Sequence, residues 1–388
     1  MGVLGLDWLL SDQANGSCLL IQLKYKTMFA RLLNPFSLLS VLLCNPKTLT
    51  RAMVVVLKQQ LKRLEHRSQG DDSSTVLNPL LITTIVSVLF LNSIFAESIT
   101  PKIPETLLVS HKIKINGHTF SVYEKKADNP TDIILLVHGR TISSLPNFDL
   151  QVESKNVSLM DAFVAKGFVV YAIDLRGFGN TPRDDSGWIT PKKASSDVIR
   201  LLEWIAARHP KKNKPTLFGY SLGSLVSRLV VQQKPNLVSG LVLFGHPIKY
   251  LDKIDVSAIK KEKLAINPLR KPNTVEWSSD GFIANSIPQE VIDRYVSACL
   301  KIDPILADWN NIAEWNQLDP QAITIPTLLI NGEHDPYAPA GKSASFFSKI
   351  RNPDKTWVVI SKSGHNAHIE DFAARLVNGV VNFVRRYK

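Results

Sequence analysis

Cysteine is nearly missing from this chain. Cys18, Cys44 and Cys299 are all there is, at spacings that match no metal or redox motif. A disulfide framework is therefore not expected, and a metal centre would have no thiolate support. Also missing is any basic run interleaved with aromatics, although 46 Lys and Arg against 34 Asp and Glu leave a formal charge of +12. The basic residues are scattered, which fits a solvated basic surface and not a nucleic-acid face. No internal repeat and no low-complexity tract occur. With 45% apolar and 21% charged residues over 388 positions, the composition is that of a globular protein with room for one large α/β domain plus extras.

The first hundred residues differ from the remainder. Asn78 to Ala96 is uncharged and strongly apolar, and a small residue precedes Glu97. Residues 77–96 are read as a signal peptide cleaved after Ala96 or as an uncleaved membrane anchor, since such a run approaches the roughly 17 to 25 residues that span a bilayer. A buried helix is the third reading, disfavoured because no polar face interrupts the run. Residues 1–76 form an N-terminal extension, with an over-extended start suspected: a start at Met53 would place Lys58, Lys62, Arg63 and Arg67 in a long basic leader. Residues 29–44 are apolar too, but Arg31, Asn34 and Pro35 interrupt them. Either route carries the chain beyond the 97–106 linker out of the cytoplasm, exported or anchored, because the basic side stays inside. Membrane association is thus assigned to residues 79–96.

From residue 107 onwards, short β-rich runs alternate with longer helical stretches. Leu107 to Ile115 and Thr119 to Tyr123 read as a hairpin turning at Asn116-Gly117. Asp132 to Val137, Phe168 to Ile173, Pro215 to Phe218, Ser239 to Phe244, Ile325 to Ile330 and Thr356 to Ile360 read as buried strands. Asp197 to Arg208 reads as a helix with Val198, Leu201, Leu202 and Ile205 on one face. The fold class is therefore α/β, with a mostly parallel eight-stranded sheet and helices on both faces. Residues 248–322 break the rhythm with several prolines, no clean strand, and Trp277, Trp309 and Trp315. They are read as a helical cap inserted over one end of the sheet, and the three tryptophans as core before pocket wall.

Polar residues cluster just past the strand ends, where ligand sites of such sheets lie. Gly219-Tyr220-Ser221-Leu222-Gly223 comes after an apolar run and opens a helical one, the layout of a nucleophile elbow. His138-Gly139-Arg140, Asn331-Gly332-Glu333-His334-Asp335 and Ser363-Gly364-His365 come after three other strands. A serine hydroxyl needs a base to attack near neutral pH, which makes His365 the candidate base for Ser221. A carboxylate must hold the imidazole, and Asp335 is assigned that part with Glu333 second. Backbone N–H groups of Leu222 and Arg140 are the candidate oxyanion donors. His368 competes with His365 but lacks the preceding glycine. His138 is read as a structural tie for the oxyanion loop, His246 and His334 as rim or loop residues, and His66, His111, His118 and His209 as lacking partners. Asp174 to Gly179 is read as an ion-paired turn.

These boxes, with Gly167 to Gly179, make residues 107–388 resemble the α/β-hydrolase superfamily, in its serine aminopeptidase and monoacylglycerol-lipase-like branch. The resemblance implies a helical cap after the sixth strand, cofactor-free and metal-free chemistry, and a small-molecule ester or lipid as the partner, with no nucleic acid. The leading expectation is a carboxylesterase or lipase-like serine hydrolase. A peptidase, with Glu276, Asp280 or Glu290 holding a free amine, is the alternative, and a non-catalytic ligand-binding relative is the alternative of another class. Arg140 departs from the family pattern, which has a small or apolar residue there more often. If the signal is cleaved, mass spectrometry of the native protein is expected to find Glu97 as the first residue; a peptide spanning Ala96-Glu97 in the mature protein would favour the anchor.

Overall fold

A computed structural model describes residues 107–248 and 267–386. The expectations for residues 1–106 lie outside the described residues. Among those described, no helix is long and apolar enough to cross a membrane.

The first two strands, β1 (Val109–Ile115) and β2 (His118–Lys126), form the expected hairpin. Asn116 and Gly117 both take positive φ, 50° and 79°, as a two-residue turn between right-twisted strands requires. Six more strands complete the sheet: β3 (Asp132–Val137), β4 (Phe168–Ile173), β5 (Thr216–Tyr220), β6 (Gly240–Phe244), β7 (Thr327–Gly332) and β8 (Lys355–Ile360). They join in the order β1-β2-β4-β3-β5-β6-β7-β8, antiparallel through β2 and β4 and parallel from there on.

β3 to β7 are buried along their whole length, as strands covered on both faces must be. Successive side chains go to opposite sides. Ile133, Leu135 and Val137 join one core, beneath α3 (Pro191–Arg208) and α4 (Leu222–Gln233). Ile134 and Leu136 join the other, with α2 (Leu159–Val164) and α8 (Ala373–Val384). β8 corrects the sequence reading: it is an edge strand with one neighbour, and Val359 is 38% exposed. Helix α3 begins six residues before the expected Asp197. Its first turns carry Lys192, Lys193 and Ser195, without apolar periodicity; Thr190 starts it, its hydroxyl capping Lys193 N at 3.2 Å ahead of Pro191.

Between β6 and β7 the described residues add no strand to the sheet. They form α5 (Val275–Ser279), α6 (Gln289–Ile302) and 3₁₀ turns at Ile312–Gln317 and Pro320–Ala322. Val291, Tyr295 and Cys299 of α6 pack on Ile142, Leu150 and Val157 below. Trp315 is core and Trp309 packs against that core, as expected, whereas Trp277 is 42% exposed.

A buried carboxylate ties this layer to the sheet. Asp303, the C-cap of α6, accepts Ser143 N at 2.8 Å and Gly179 N at 2.7 Å. Truncation to Asp303→Ala would strand both donors, at about 1–3 kcal/mol for each buried group left unpaired. Urea unfolding should show a loss of about 2–6 kcal/mol for that variant and a smaller one for Asp303→Asn, which keeps one acceptor.

Candidate active site

β5 ends at Tyr220 and α4 starts at Leu222, so Ser221 alone makes the turn between them, at φ 52° and ψ −124°. That is a strained conformation for a residue with a side chain, and the surroundings hold it. Ser221 N donates to Phe244 O at 2.9 Å, and Ser221 O accepts Ser224 N at 2.9 Å. Gly219 and Gly223 permit the close passage of strand and helix: a Cβ on Gly219 would stand 2.6 Å from Gly223 O, and one on Gly223 would overlap Val137 O and His138 O. The helix N-terminus with its free N–H groups therefore faces the space above Ser221.

The loops after β7 and β8 meet because Gly332 has no side chain; a Cβ there would overlap Ser363 O and Gly364 O. Their meeting sets His365 Nδ1 2.9 Å from Asp335 Oδ2, with the carboxylate fully enclosed and the imidazole nearly so. Asp335 Oδ1 also accepts Tyr337 N at 2.9 Å. Glu333, the second choice for the acid, is exposed and accepts Lys362 N. Below the histidine loop, Glu370 Oε2 accepts Gly364 N at 2.7 Å and Oε1 accepts Ile283 N at 3.4 Å, linking the loop to the cap.

Ser221, Leu222, His365, Gly139 and Arg140 line one cavity of about 340 Å³, which Trp277 and Asp280 close from the cap side. Ser221 Oγ has no hydrogen bond to His365 among the described residues. Gly139 packs against Ser221: a Cβ added there would stand 3.1 Å from the serine Cβ. The Arg140 side chain is exposed at the cavity. Among the described residues no group of three or more His, Cys, Asp or Glu is arranged to hold a metal ion.

His138 is fully buried and tied at both ring nitrogens. Leu175 N donates to Nε2 at 3.0 Å, which leaves Nδ1 to donate to Gly139 O at 2.8 Å. Burial lowers its pKa to about 4, so it is a neutral brace for the loop of Gly139 and Arg140. His368 lies beneath the site among Phe148, Tyr220 and Phe244, and burial, then the neighbouring His365, lowers its pKa to about 3. His246 corrects the rim assignment: it is wholly buried, 2.6 Å from Ser224 Oγ. His111, His118 and His209 do have partners, in Glu124, Pro182 O and Tyr171.

The Asp174 turn is only partly ion-paired. Arg176 pairs with Asp197 at 2.7 Å and Asp184 at 3.3 Å. Asp174 itself accepts Ser144 N, Asn180 N and the Tyr123 hydroxyl, and burial raises its pKa to about 6. Sequence reasoning missed Tyr337, whose hydroxyl donates to Asp280 at 2.6 Å, and Tyr220, whose hydroxyl donates to Asn366 at 2.5 Å. No local pattern marks either pair, because each joins distant segments.

The buried imidazoles make stability pH-dependent. Their folded pKa values lie below the ordinary ~6.5, so the unfolded chain takes up protons first as pH falls. The stability they allow is complete above about pH 6.5 and is lost towards pH 4, at up to about 1.4 kcal/mol per pH unit for each. Asp174 works the other way, because its folded pKa is raised and its cost is relieved as it protonates. A His368→Phe variant isolates one imidazole: urea titrations between pH 6.5 and 4.5 should give a shallower fall in unfolding free energy than wild type. Equal slopes would mean that His368 takes up its proton in the folded protein as it does in the unfolded chain.

The fold is shared with solved structures, and the sequence matches a known family. Residues 128–371 match the model of the serine aminopeptidase S33 family. A probable aminopeptidase of Bacillus subtilis, YbaC, is 23% identical over 245 residues, 53% of this chain and 76% of that protein. The monoglyceride lipase of Mus musculus is 24% identical over 268 residues, 67% of this chain and 84% of that one. Among solved structures, a monoacylglycerol lipase of Paleococcus ferrophilus superposes with a TM-score of 0.52 at 19% identity, covering 70% of this chain and 99% of its own. An esterase of Thermogutta terrifontis superposes at 0.51 and 19% identity, over 72% of this chain and 98% of its own. With the fold and the matched span in agreement, the chain belongs to the serine aminopeptidase S33 family and is an α/β-hydrolase of the esterase, lipase and peptidase kind.

Proposed function

We propose that this protein is a serine hydrolase that works through an acyl-enzyme and acts on carboxylic esters or lipids. The observation that carries the reading is the enclosed His365–Asp335 pair, 2.9 Å apart, sharing one cavity with the strained Ser221. The carboxylate takes the hydrogen on Nδ1, which leaves Nε2 of the imidazole as the base. Ser221 Oγ attacks the substrate carbonyl as His365 removes its proton, and the tetrahedral oxyanion forms against the N–H groups of Leu222 and Arg140. His365 then hands the proton to the leaving alcohol. Water deacylates Ser221 by the same route in reverse. Asp335 stays ionised throughout, stabilising the imidazolium.

For the substrate, the mouse relative is named for monoglycerides, which supports an ester. A peptidase is the second reading, and Asp280 is its specific support: of the three acids considered for an amine, it alone lines the cavity. The Bacillus relative, named a probable aminopeptidase, points the same way. A non-catalytic binding protein would keep the cavity without using Ser221. The apolar run over residues 79–96 supports a catalytic domain outside the cytoplasm, an inference that rests on sequence alone.

A fluorophosphonate probe is expected to label wild type, not to label Ser221→Ala, and to label His365→Ala at least ~100-fold more slowly. Absence of Ser221-dependent label on folded protein would overturn the hydrolase reading. A p-nitrophenyl ester chain-length series run beside aminoacyl amides is expected to favour the esters. Faster amide turnover, abolished by Asp280→Asn, would establish the peptidase instead.

A further inference from the structure

Arg228 is a buried guanidinium that pairs with no acid among the described residues. It is 0% exposed on α4, stacks 4.8 Å from the Phe346 ring of α7 (Ala340–Lys349), and forms no salt bridge among the described residues. Nε and Nη2 find no hydrogen bond among the described residues, and Nη1 points 3.2 Å from His246 Nε2. Burial pulls its pKa down to about 9, which still leaves it charged near neutral pH. Isolated buried charge is costly, and an apolar side chain of the same size would avoid the cost.

The direction of every hydrogen bond leading away from this cation is fixed by chemistry. A guanidinium only donates, so His246 Nε2 accepts and the ring carries its hydrogen on Nδ1. Nδ1 is 2.6 Å from Ser224 Oγ and donates to it. The Ser224 hydroxyl then has one hydrogen to give, and it goes to Ser221 O at 2.5 Å. Ser224 and Arg228 stand four apart on α4, on one face, while His246 arrives two residues past β6 through Gly245 at φ 55°. Burial, and then Arg228 itself, hold the imidazole neutral, so the chain of donors does not reverse.

The carbonyl at the end of this chain belongs to the peptide unit whose N–H is that of Leu222. Peptide resonance couples the two ends: donors on the oxygen draw electron density towards it and make the N–H a stronger donor. We propose that Arg228, His246 and Ser224 are positioning residues that fix the plane of the Ser221–Leu222 peptide and polarise it, strengthening the Leu222 N–H towards the oxyanion of the tetrahedral intermediate. This rests on the reading of Leu222 N–H as an oxyanion donor. No proton is transferred along the chain. Its action is orientation and polarisation, felt when charge develops on the substrate oxygen.

The test uses full-length protein in wild-type form and as Ser224→Ala, His246→Asn, Arg228→Met and Ser221→Ala. Each is measured for kcat and KM on one p-nitrophenyl ester, for inhibition by a trifluoromethyl ketone of matching acyl chain, and for Tm. Ser224→Ala is expected to lose about tenfold in kcat at unchanged KM, less than the ~10²–10³ lost when an oxyanion donor is deleted outright. The ketone, which forms a hemiketal oxyanion on Ser221, should weaken by the same factor. Arg228→Met should lose part of that factor in both quantities, and His246→Asn, whose amide can still donate to Ser224, should lose less than Ser224→Ala. A merely structural network would lower Tm while leaving kcat and ketone inhibition at 20 °C as in wild type, and that result overturns the proposal. If wild type turns over with Ser221 dependence and Ser224→Ala matches it, this inference alone fails. Turnover indifferent to Ser221→Ala overturns the hydrolase reading and this inference together.

Discussion

At Gly223 the first turn of α4 lies against the end of β3 so closely that a single added carbon would overlap Val137 O and His138 O. At Gly332 the end of β7 lies just as closely against Gly364 O. The site depends on these two backbone contacts, because each draws a loop carrying a polar side chain to one point above the sheet. With side chains at either position the carbonyls would be pushed apart, and interiors packed to crystal density have no slack to absorb it. The same proximity keeps Ser221 in its positive-φ turn, since strand β5 and helix α4 cannot separate to relax it.

Close backbone packing leaves N–H and C=O groups that neither sheet nor helix satisfies, and buried polar side chains take them up. Asp303 receives Ser143 N and Gly179 N; Asp174 receives Ser144 N and Asn180 N; His138 bridges Gly139 O and Leu175 N; Glu370 receives Gly364 N. Each joins a strand-end loop to the neighbouring loop or to the cap. An unpaired buried donor costs more than a hydrogen bond gains, so these side chains matter chiefly by what their removal would expose. The cap layer is thus held over the cavity by the same bonds that shape the loop of Gly139 and Arg140.

Much of this was legible in the residues themselves. Five buried strands alternate with amphipathic helices, and the apolar runs of β3 and β4 fall within the bounds read from them. The Ser221 turn and the meeting of Asp335 with His365 involve residues that stood out because glycines and polar residues interrupt apolar runs at strand ends. What escaped was set by tertiary contact. Lys192 and Lys193 hide the first turns of α3, whose start is fixed by a threonine cap. Half-exposed β8 reads like a central strand because Trp357 and Val358 pack against the two cores, although among the described residues no further strand lies beyond it. His246 looked like a loop residue since nothing nearby in sequence shows that α4 and α7 close over it.

Four imidazoles stand around the serine, and environment alone sorts them. His138, His246 and His368 are enclosed without a carboxylate, and burial holds all three below the ordinary histidine range. A neutral ring there can brace a carbonyl or pass on the pull of a guanidinium, but it has no counter-charge to steady an imidazolium. His365 differs in having Asp335 at 2.9 Å and an edge on the cavity. A proton taken from Ser221 would be stabilised on that ring and on none of the others. What sets His365 apart is where the buried carboxylates are engaged: Asp174, Asp303 and Glu370 accept backbone N–H groups, whereas Asp335 accepts Tyr337 N and also meets an imidazole. Under the proposed function, this arrangement confines general-base chemistry to a single position without requiring the other histidines to be absent.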